Sequence, residues 1–144
     1  MEATHTFSYP HTITNSLSAT DEQRIIGRIV HDGDYTPEMA RHILAGTVAF
    51  LRMVGHDKNA PSVPSRMIDD GWHTFLMYTK LYRQFCLAEC GRFVDHNPND
   101  TPGKRMKNTT ADTVAYMRAQ EILFNEALWN STVDECDDDC GICF

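Results

Sequence analysis

Apolar residues recur along this chain at intervals of three and four positions, which is the period of an amphipathic helix. The clearest run lies within residues 62–98, where one stripe consists of Ile68, Trp72, Phe75, Thr79, Tyr82, Cys86 and Cys90. The pattern predicts a helix over residues 65–91, about 39 Å long at the rise of an α-helix. That length is large for a chain of 144 residues. A bend near residues 79–80 is compatible with the pattern but is not required by it.

Two further helices are predicted before this run. The first covers residues 21–31 and follows a capping box that begins at Thr20. The second begins at Thr36, which is followed by a proline at the first helical position and an acidic residue in the first turn. It runs to about residue 54, and its apolar residues lie on two faces. This arrangement predicts a central, buried helix, and Gly46 in its middle predicts a close crossing with another helix.

A last helix is predicted from Thr110 or Asp112 through Leu128, with Asn125 as a point where it can be interrupted and Trp129 docked on the core. No stretch predicts a strand, and no internal repeat is present. We therefore expect an all-α, single-domain bundle of four to five helices.

The two ends of the chain differ in composition from the middle. Residues 1–19 are polar and rich in threonine and serine, and predict an extended N-terminal arm that is either draped over the core or partly disordered. Residues 20–144 form the predicted helical domain, including an acidic, cysteine-rich tail at residues 134–144.

Composition and charge exclude several classes of function. The chain is 42% hydrophobic and 23% charged, as in ordinary soluble domains, and its net charge is −7. An acidic protein gains nothing from the phosphate backbone, so no nucleic-acid partner is expected. No apolar run is long enough to span a membrane, and the N-terminus lacks the features of a signal peptide, which predicts a cytoplasmic location.

Asp69 and His73 are the first candidates for chemistry. They are four residues apart, so their side chains lie on the same flank of the predicted helix. A carboxylate beside an imidazole can orient the ring, or both groups can bind one metal ion. The alternative interpretation is a histidine at the edge of the core with Asp69 as its hydrogen-bond partner.

His96 follows the long helix closely, with Asp95 before it. If the helix bends back, His73 and His96 can converge, whereas in a straight helix they lie at least ~20 Å apart. The bend therefore tests the idea of a shared site. Trp72, Tyr78, Tyr82 and Asp95 are predicted to line that site.

The five cysteines are an odd number, which points to metal or thiol chemistry more than to disulfides in a cytosolic chain. Cys136, Cys140 and Cys143 form a C-x3-C-x2-C arrangement that can hold one soft metal ion. The alternative is an acidic tail with incidental cysteines. Cys86 is either a buried small hydrophobe or a further ligand, and we interpret Cys90 as a hydrophobe.

The D-x-x-W-H motif at residues 69–73 and the H-x-P motif at residues 96–98, with Tyr82 and Cys86 between them, resemble the glycine-rich domain-containing protein-like family. The sequence departs from that pattern at Asp95, where the family usually has a histidine. The resemblance implies that Asp69, His73, Cys86 and His96 are site residues. It implies no particular reaction.

The leading hypothesis is a small helical metal-binding protein, with His73 and His96 as ligands, Asp69 as a ligand or as the partner of one, and Cys86 or the tail cysteines completing the set. Nitrogen and sulfur ligands favour zinc over copper or iron. A coordination position left open to water would support an enzyme of unknown reaction acting on a small molecule or peptide, whereas a filled one would make the metal structural.

Two alternatives belong to other classes. The first is a non-catalytic module that binds a protein partner and carries a structural zinc or no metal. The second is a thiol redox protein using Cys140 and Cys143, which is weaker because that C-x-x-C does not open a helix in a βαβ unit.

Overall fold

A computed structural model of the protein describes residues 12–97 and 108–130. Within these ranges every regular element is a helix, so the predicted all-α class is confirmed. In chain order the helices are α1 (Ala19–Gly33), α2 (Pro37–His56), α3 (Arg66–Met77), α4 (Thr79–Glu89), α5 (Thr110–Ala119) and α6 (Glu126–Trp129). The sequence predicts four to five helices, whereas the described part contains six, because two of the predicted helices are each divided.

The helix predicted for residues 65–91 is broken at Tyr78, which separates α3 from α4. Tyr78 has φ −93° and ψ 65°, outside the helical range. No glycine or proline stands at this point, so packing accounts for the break. The ring of Phe75 lies 5.1 Å from that of Tyr82 and 5.3 Å from that of Phe85. In one straight helix Phe85 would be about 15 Å further along the axis than Phe75.

The last predicted helix is interrupted between α5 and α6. Glu121 has a φ of 55°, a left-handed conformation that terminates helices. α6 then begins after Asn125, whose side chain accepts the N–H of Ala127. The interruption occurs near the position that the sequence suggests. It leaves Trp129 buried in the core, as predicted.

The buried centre of the fold is α2, which contacts α1, α3, α4 and α6. Gly46 lies where α3 and α6 approach, since an added Cβ would be 2.8 Å from both Ile68 Cδ1 and Leu128 Cδ1. The predicted close crossing at Gly46 is therefore confirmed. A second close approach, which the pattern does not reveal, occurs at Gly71, where a Cβ would lie 2.3 Å from Thr47 Oγ1. These contacts hold α3 firmly against α2.

The described end of the predicted N-terminal arm lies against the helices. The predicted cap at Thr20 is wrong, because Ser18 is the N-cap of α1. The carboxylate of Glu22 is buried and accepts the backbone N–H groups of Ile13, at 2.7 Å, and Thr14, at 2.8 Å. A buried carboxylate requires such donors, so these bonds tie the arm to α1.

Glu89 of α4 fastens the same segment from the other side. Its carboxylate accepts the N–H groups of Asn15, at 3.2 Å, and Ser16, at 2.9 Å, and forms an ion pair with Arg52 of α2. Burial alone would raise the pKa of Glu89, but the bonds from Arg52, Ser16 and Asn15 outweigh it and hold this pKa below its usual value.

Replacing Glu89 with glutamine is expected to lower the free energy of unfolding at pH 7 by about 2 kcal/mol, because charge-assisted hydrogen bonds are lost. Because the folded pKa is depressed, the stability from Glu89 is present above the unfolded pKa of about 4.3 and is lost as the pH falls through the folded pKa. Urea unfolding at about pH 7 and about pH 3.5 should therefore show a steeper acid loss in the wild type than in the variant.

Glu126→Gln is the matched control, since its partner Arg118 is exposed and such a pair contributes less than about 1 kcal/mol. Equal acid responses of the wild type and Glu89→Gln would contradict the assignment of Glu89 as the acid-sensitive anchor.

None of the helices in the described ranges combines the length and the apolar character needed to cross a membrane. The acidic tail at residues 134–144 lies outside the described residues. The division of the chain into an arm at residues 1–19 and one domain at residues 20–144 stays a prediction.

Candidate metal site

The site begins on one flank of α3, where Asp69 and His73 stand one helical turn apart. Ser65 caps this helix with its side-chain hydroxyl, which accepts the N–H of Ile68 at 3.2 Å. Asp69 Oδ2 lies 3.4 Å from His73 Nε2. The prediction that these two side chains share a flank is therefore confirmed.

His96 reaches the same place from the other direction, on the segment that follows α4. The hydroxyl of Tyr82 donates to the carbonyl of Val94 at 2.5 Å and accepts the indole N–H of Trp72 at 2.9 Å. Trp72 and Tyr82 would be about 15 Å apart along the axis of a straight helix, so this bond exists only because the chain turns at Tyr78. The turn lets the segment after α4 run back to α3.

The three side chains present donor atoms at metal-binding separations. His96 Nε2 lies 3.1 Å from Asp69 Oδ1, and the His73 and His96 ring centroids are 4.5 Å apart. One donor atom from each residue lies within 4.8 Å of the others. Donors bound to one zinc ion at 2.0–2.1 Å are separated by about 3.0–3.5 Å. Each imidazole lies at such a distance from one carboxylate oxygen, His73 from Oδ2 and His96 from Oδ1.

The three side chains differ in exposure. The Asp69 and His96 side chains are only 12% and 8% exposed, whereas His73 is 45% exposed. His96 is held against Trp72, whose ring centroid lies 4.4 Å away in an edge-on arrangement. The site is therefore walled on the Asp69 and His96 side and accessible to solvent at His73.

The carboxylate of Asp69 also favours the protonated form of the His73 imidazole. The hydrogen bond that His73 donates to Asp69 raises the pKa of His73, against a smaller opposing effect of burial. The charges of Asp69 and Asp70 act in the same direction on this pKa. A cation, whether a proton or a metal ion, is thus favoured at this position.

A comparison with known protein families identifies the family of this chain. The sequence model of one family matches residues 5–121, a range that contains Asp69, His73 and His96. The chain belongs to the UCP032817-like family. The resemblance to glycine-rich domain-containing proteins is therefore wrong, since it depends on residues 68–98 alone, whereas the UCP032817-like match covers most of the chain. No curated protein and no solved structure matches the sequence.

In this UCP032817-like protein the predicted site-lining residues have different positions. Trp72 and Tyr82 support the site through the bond between them. The hydroxyl of Tyr78 donates to the carbonyl of Arg24 at 3.3 Å and so contacts α1. Asp95 is exposed and does not belong to the group of three donors found in the described ranges.

Cys86 is also outside this group, as far as the described residues extend. Its side chain is buried beside that of Cys90, and both are free thiols. The hydrogen bond from Cys90 lowers the pKa of Cys86 to about 7 and, with burial, raises the pKa of Cys90. The remaining predicted ligands are Cys136, Cys140 and Cys143. These three lie outside the described residues.

A cavity of about 200 Å³ includes His73 in its lining, and its other polar residues are not among the sequence-predicted site residues. It is lined by Asp70, Thr74 and Tyr35, among others, and the Tyr35 hydroxyl donates to Asp70 Oδ2 at 2.7 Å. Burial raises the pKa of Tyr35 to about 12, so the hydroxyl is neutral. Asp70 directly follows Asp69 in the sequence, and consecutive residues of a helix face different sides. This placement is a sequence signal that Asp70 belongs to a different surface from Asp69. Nothing local marked Tyr35.

Proposed function

We propose that the protein binds one divalent transition-metal ion through Asp69, His73 and His96. The proposal is carried by the convergence of two imidazoles and one carboxylate, within 4.8 Å, from two separate parts of the chain. A largely buried carboxylate such as that of Asp69 requires compensation by a cation or by hydrogen bonds, and a metal ion would supply the cation.

The donor set bears on which metal is bound. Two histidines and one carboxylate hold zinc in hydrolytic enzymes and iron(II) in non-haem oxygenases. The sequence favours zinc partly through cysteine ligands, whereas the described donors are nitrogen and oxygen. Zinc remains our first choice because the imidazole pair suits it, with iron(II) and copper as the alternatives.

The three ligands found within residues 12–97 and 108–130 fit a catalytic rather than a structural metal. Structural zinc sites are filled by four protein ligands, whereas catalytic sites use three and leave a position for water. The exposed ring of His73 puts such a position within reach of solvent. A zinc ion held by these three residues would supply a bound water with a pKa of about 7, and hence a nucleophile for hydrolysis. We therefore propose a metal-dependent enzyme, with hydrolysis as the reaction class for zinc. The cytoplasmic location stays a prediction.

Zinc binding is the direct test. We expect full-length protein stripped with chelator to take up zinc in a calorimetric titration, and His73→Ala to weaken this uptake by more than about hundredfold. His56→Ala is the matched control, because His56 is also exposed near a helix end but contacts the carbonyl of Glu89 at 2.8 Å. Failure of the wild type to bind zinc, cobalt or iron(II) would favour the metal-free interaction module and would overturn the proposal.

The tail cysteines need a separate control, since they can bind zinc themselves. The titration is repeated in a variant in which the three tail cysteines are replaced by serine, namely Cys136→Ser, Cys140→Ser and Cys143→Ser. We expect this variant to keep a zinc site that His73→Ala removes. Cobalt loading adds a spectroscopic check, because a thiolate ligand gives a near-ultraviolet charge-transfer band that a nitrogen and oxygen site lacks.

A further inference from the structure

The cavity next to His73 lies between two elements of the fold. The end of α1 forms one wall, with Ile29 and Asp32, and α3 forms the other. His73 lies in the wall formed by α3 and is also one of the three donors. The cavity therefore opens directly onto the exposed side of the proposed metal site.

The charges around the cavity select its ligand. Its described lining contains the carboxylates of Asp32 and Asp70 and no lysine or arginine. Asp32 is already paired with the guanidinium of Arg28 at 2.7 Å and with His31 at 3.0 Å. Asp70 is bonded instead to the hydroxyl of Tyr35, which carries no charge. Of these two carboxylates, Asp70 is therefore the one more available to a cation.

The rest of the lining limits the size and character of the ligand. Ile29 and Met77 supply apolar surface, and Thr74 supplies a hydroxyl. The volume of about 200 Å³ is below that of pockets for drug-sized ligands. A short aliphatic chain with a polar group at each end would satisfy all three features.

We propose that this cavity is the substrate site of the metal centre and takes a small organic cation, with a protonated amine against Asp70 and an uncharged polar group toward His73. The assignment of the ligand as a substrate rests on the proposed function. The positive amine is placed against Asp70, whose charge also disfavours a small anion.

Three matched probes test the charge preference. They are 4-amino-1-butanol, 1,4-butanediol and 4-hydroxybutanoate, which share a four-carbon chain and a hydroxyl but carry a positive, no and a negative charge. Each is titrated into zinc-loaded protein and followed by backbone amide shifts in NMR spectra. We expect saturable shifts at Gly33, Tyr35, Asp70 and Thr74 with the amine, and binding of the diol and the acid weaker by about tenfold or more.

Asp70→Asn removes the charge but keeps an oxygen that can accept the Tyr35 hydrogen bond. It is expected to weaken binding of 4-amino-1-butanol by about tenfold, whereas Asp34→Asn, at an exposed position outside the cavity lining, should leave it unchanged. Zinc content is measured in every sample before the probe is added. A wild type without zinc overturns the metal proposal. A zinc-loaded wild type that binds the acid as well as the amine, or an Asp70→Asn protein with unchanged affinity, overturns the inference about the substrate.

Discussion

Replacing Asp69 with asparagine is expected to lower zinc affinity by more than about hundredfold, since loss of a group that only supports a ligand already costs about 10- to 100-fold. Asp69 contributes the only negative charge of the three donors and lies between the two imidazoles, with Oδ2 toward His73 and Oδ1 toward His96. An amide keeps the shape but supplies neither the charge nor a second acceptor oxygen. Calorimetric zinc titration measures the loss, and Asp34→Asn is the control for the charge change.

The same variant has a readout that needs no metal. The hydrogen bond that His73 donates to Asp69 is the main cause of the raised pKa of His73. Because this pKa is raised in the folded state, the pairing stabilises the protein fully below the unfolded pKa and the gain is lost as the pH rises through the folded pKa. In metal-free Asp69→Asn we expect NMR titration to give a lower pKa for His73 than in the wild type. An unchanged His73 titration would show that the two side chains do not pair.

The second large effect is expected for Tyr82→Phe, which removes a single buried oxygen. That oxygen accepts the indole N–H of Trp72 and donates to the carbonyl of Val94. The substitution leaves two buried polar groups without this partner, each at a cost of about 1–3 kcal/mol, so we expect the free energy of unfolding to fall by about 3 kcal/mol. Urea unfolding followed by tryptophan fluorescence measures the change.

Tyr78→Phe is the matched control for this result. The Tyr78 hydroxyl donates to an exposed carbonyl, that of Arg24, and its loss is expected to change stability by less than about 0.5 kcal/mol. Zinc affinity should also fall by about tenfold in Tyr82→Phe, because Val94 positions the segment that carries His96. If both variants were equally stable, the bond from Trp72 through Tyr82 to Val94 would not hold the turn in place.

Local sequence features account for much of the helical framework. The proline after Thr36 begins α2 at Pro37 as predicted. The four-residue spacing of Asp69 and His73 places their side chains together, and Gly46 marks a helix crossing. Signals at helix ends were less reliable, since Ser18 rather than Thr20 caps α1. Both residues can cap a helix, and the choice depends on where the preceding segment is anchored.

The family assignment shows a different limit of short motifs. The D-x-x-W-H and H-x-P motifs point correctly to the part of the chain where Asp69, His73 and His96 converge. They point to the wrong family, because the resemblance extends only over residues 68–98 and leaves most of the chain uncompared. The match over residues 5–121 includes helices α1 to α5 and therefore discriminates better.

Helical periodicity alone establishes the all-α class, the buried character of α2 and the pairing of Asp69 with His73, because each depends on intervals within one helix. Long-range packing decides that His96 joins them. The turn at Tyr78 has no glycine or proline to announce it and arises because aromatic side chains of α3 and α4 pack against one another. The cavity that joins Tyr35 to Asp70 likewise depends on how α1 lies on α3, which no spacing along the chain encodes.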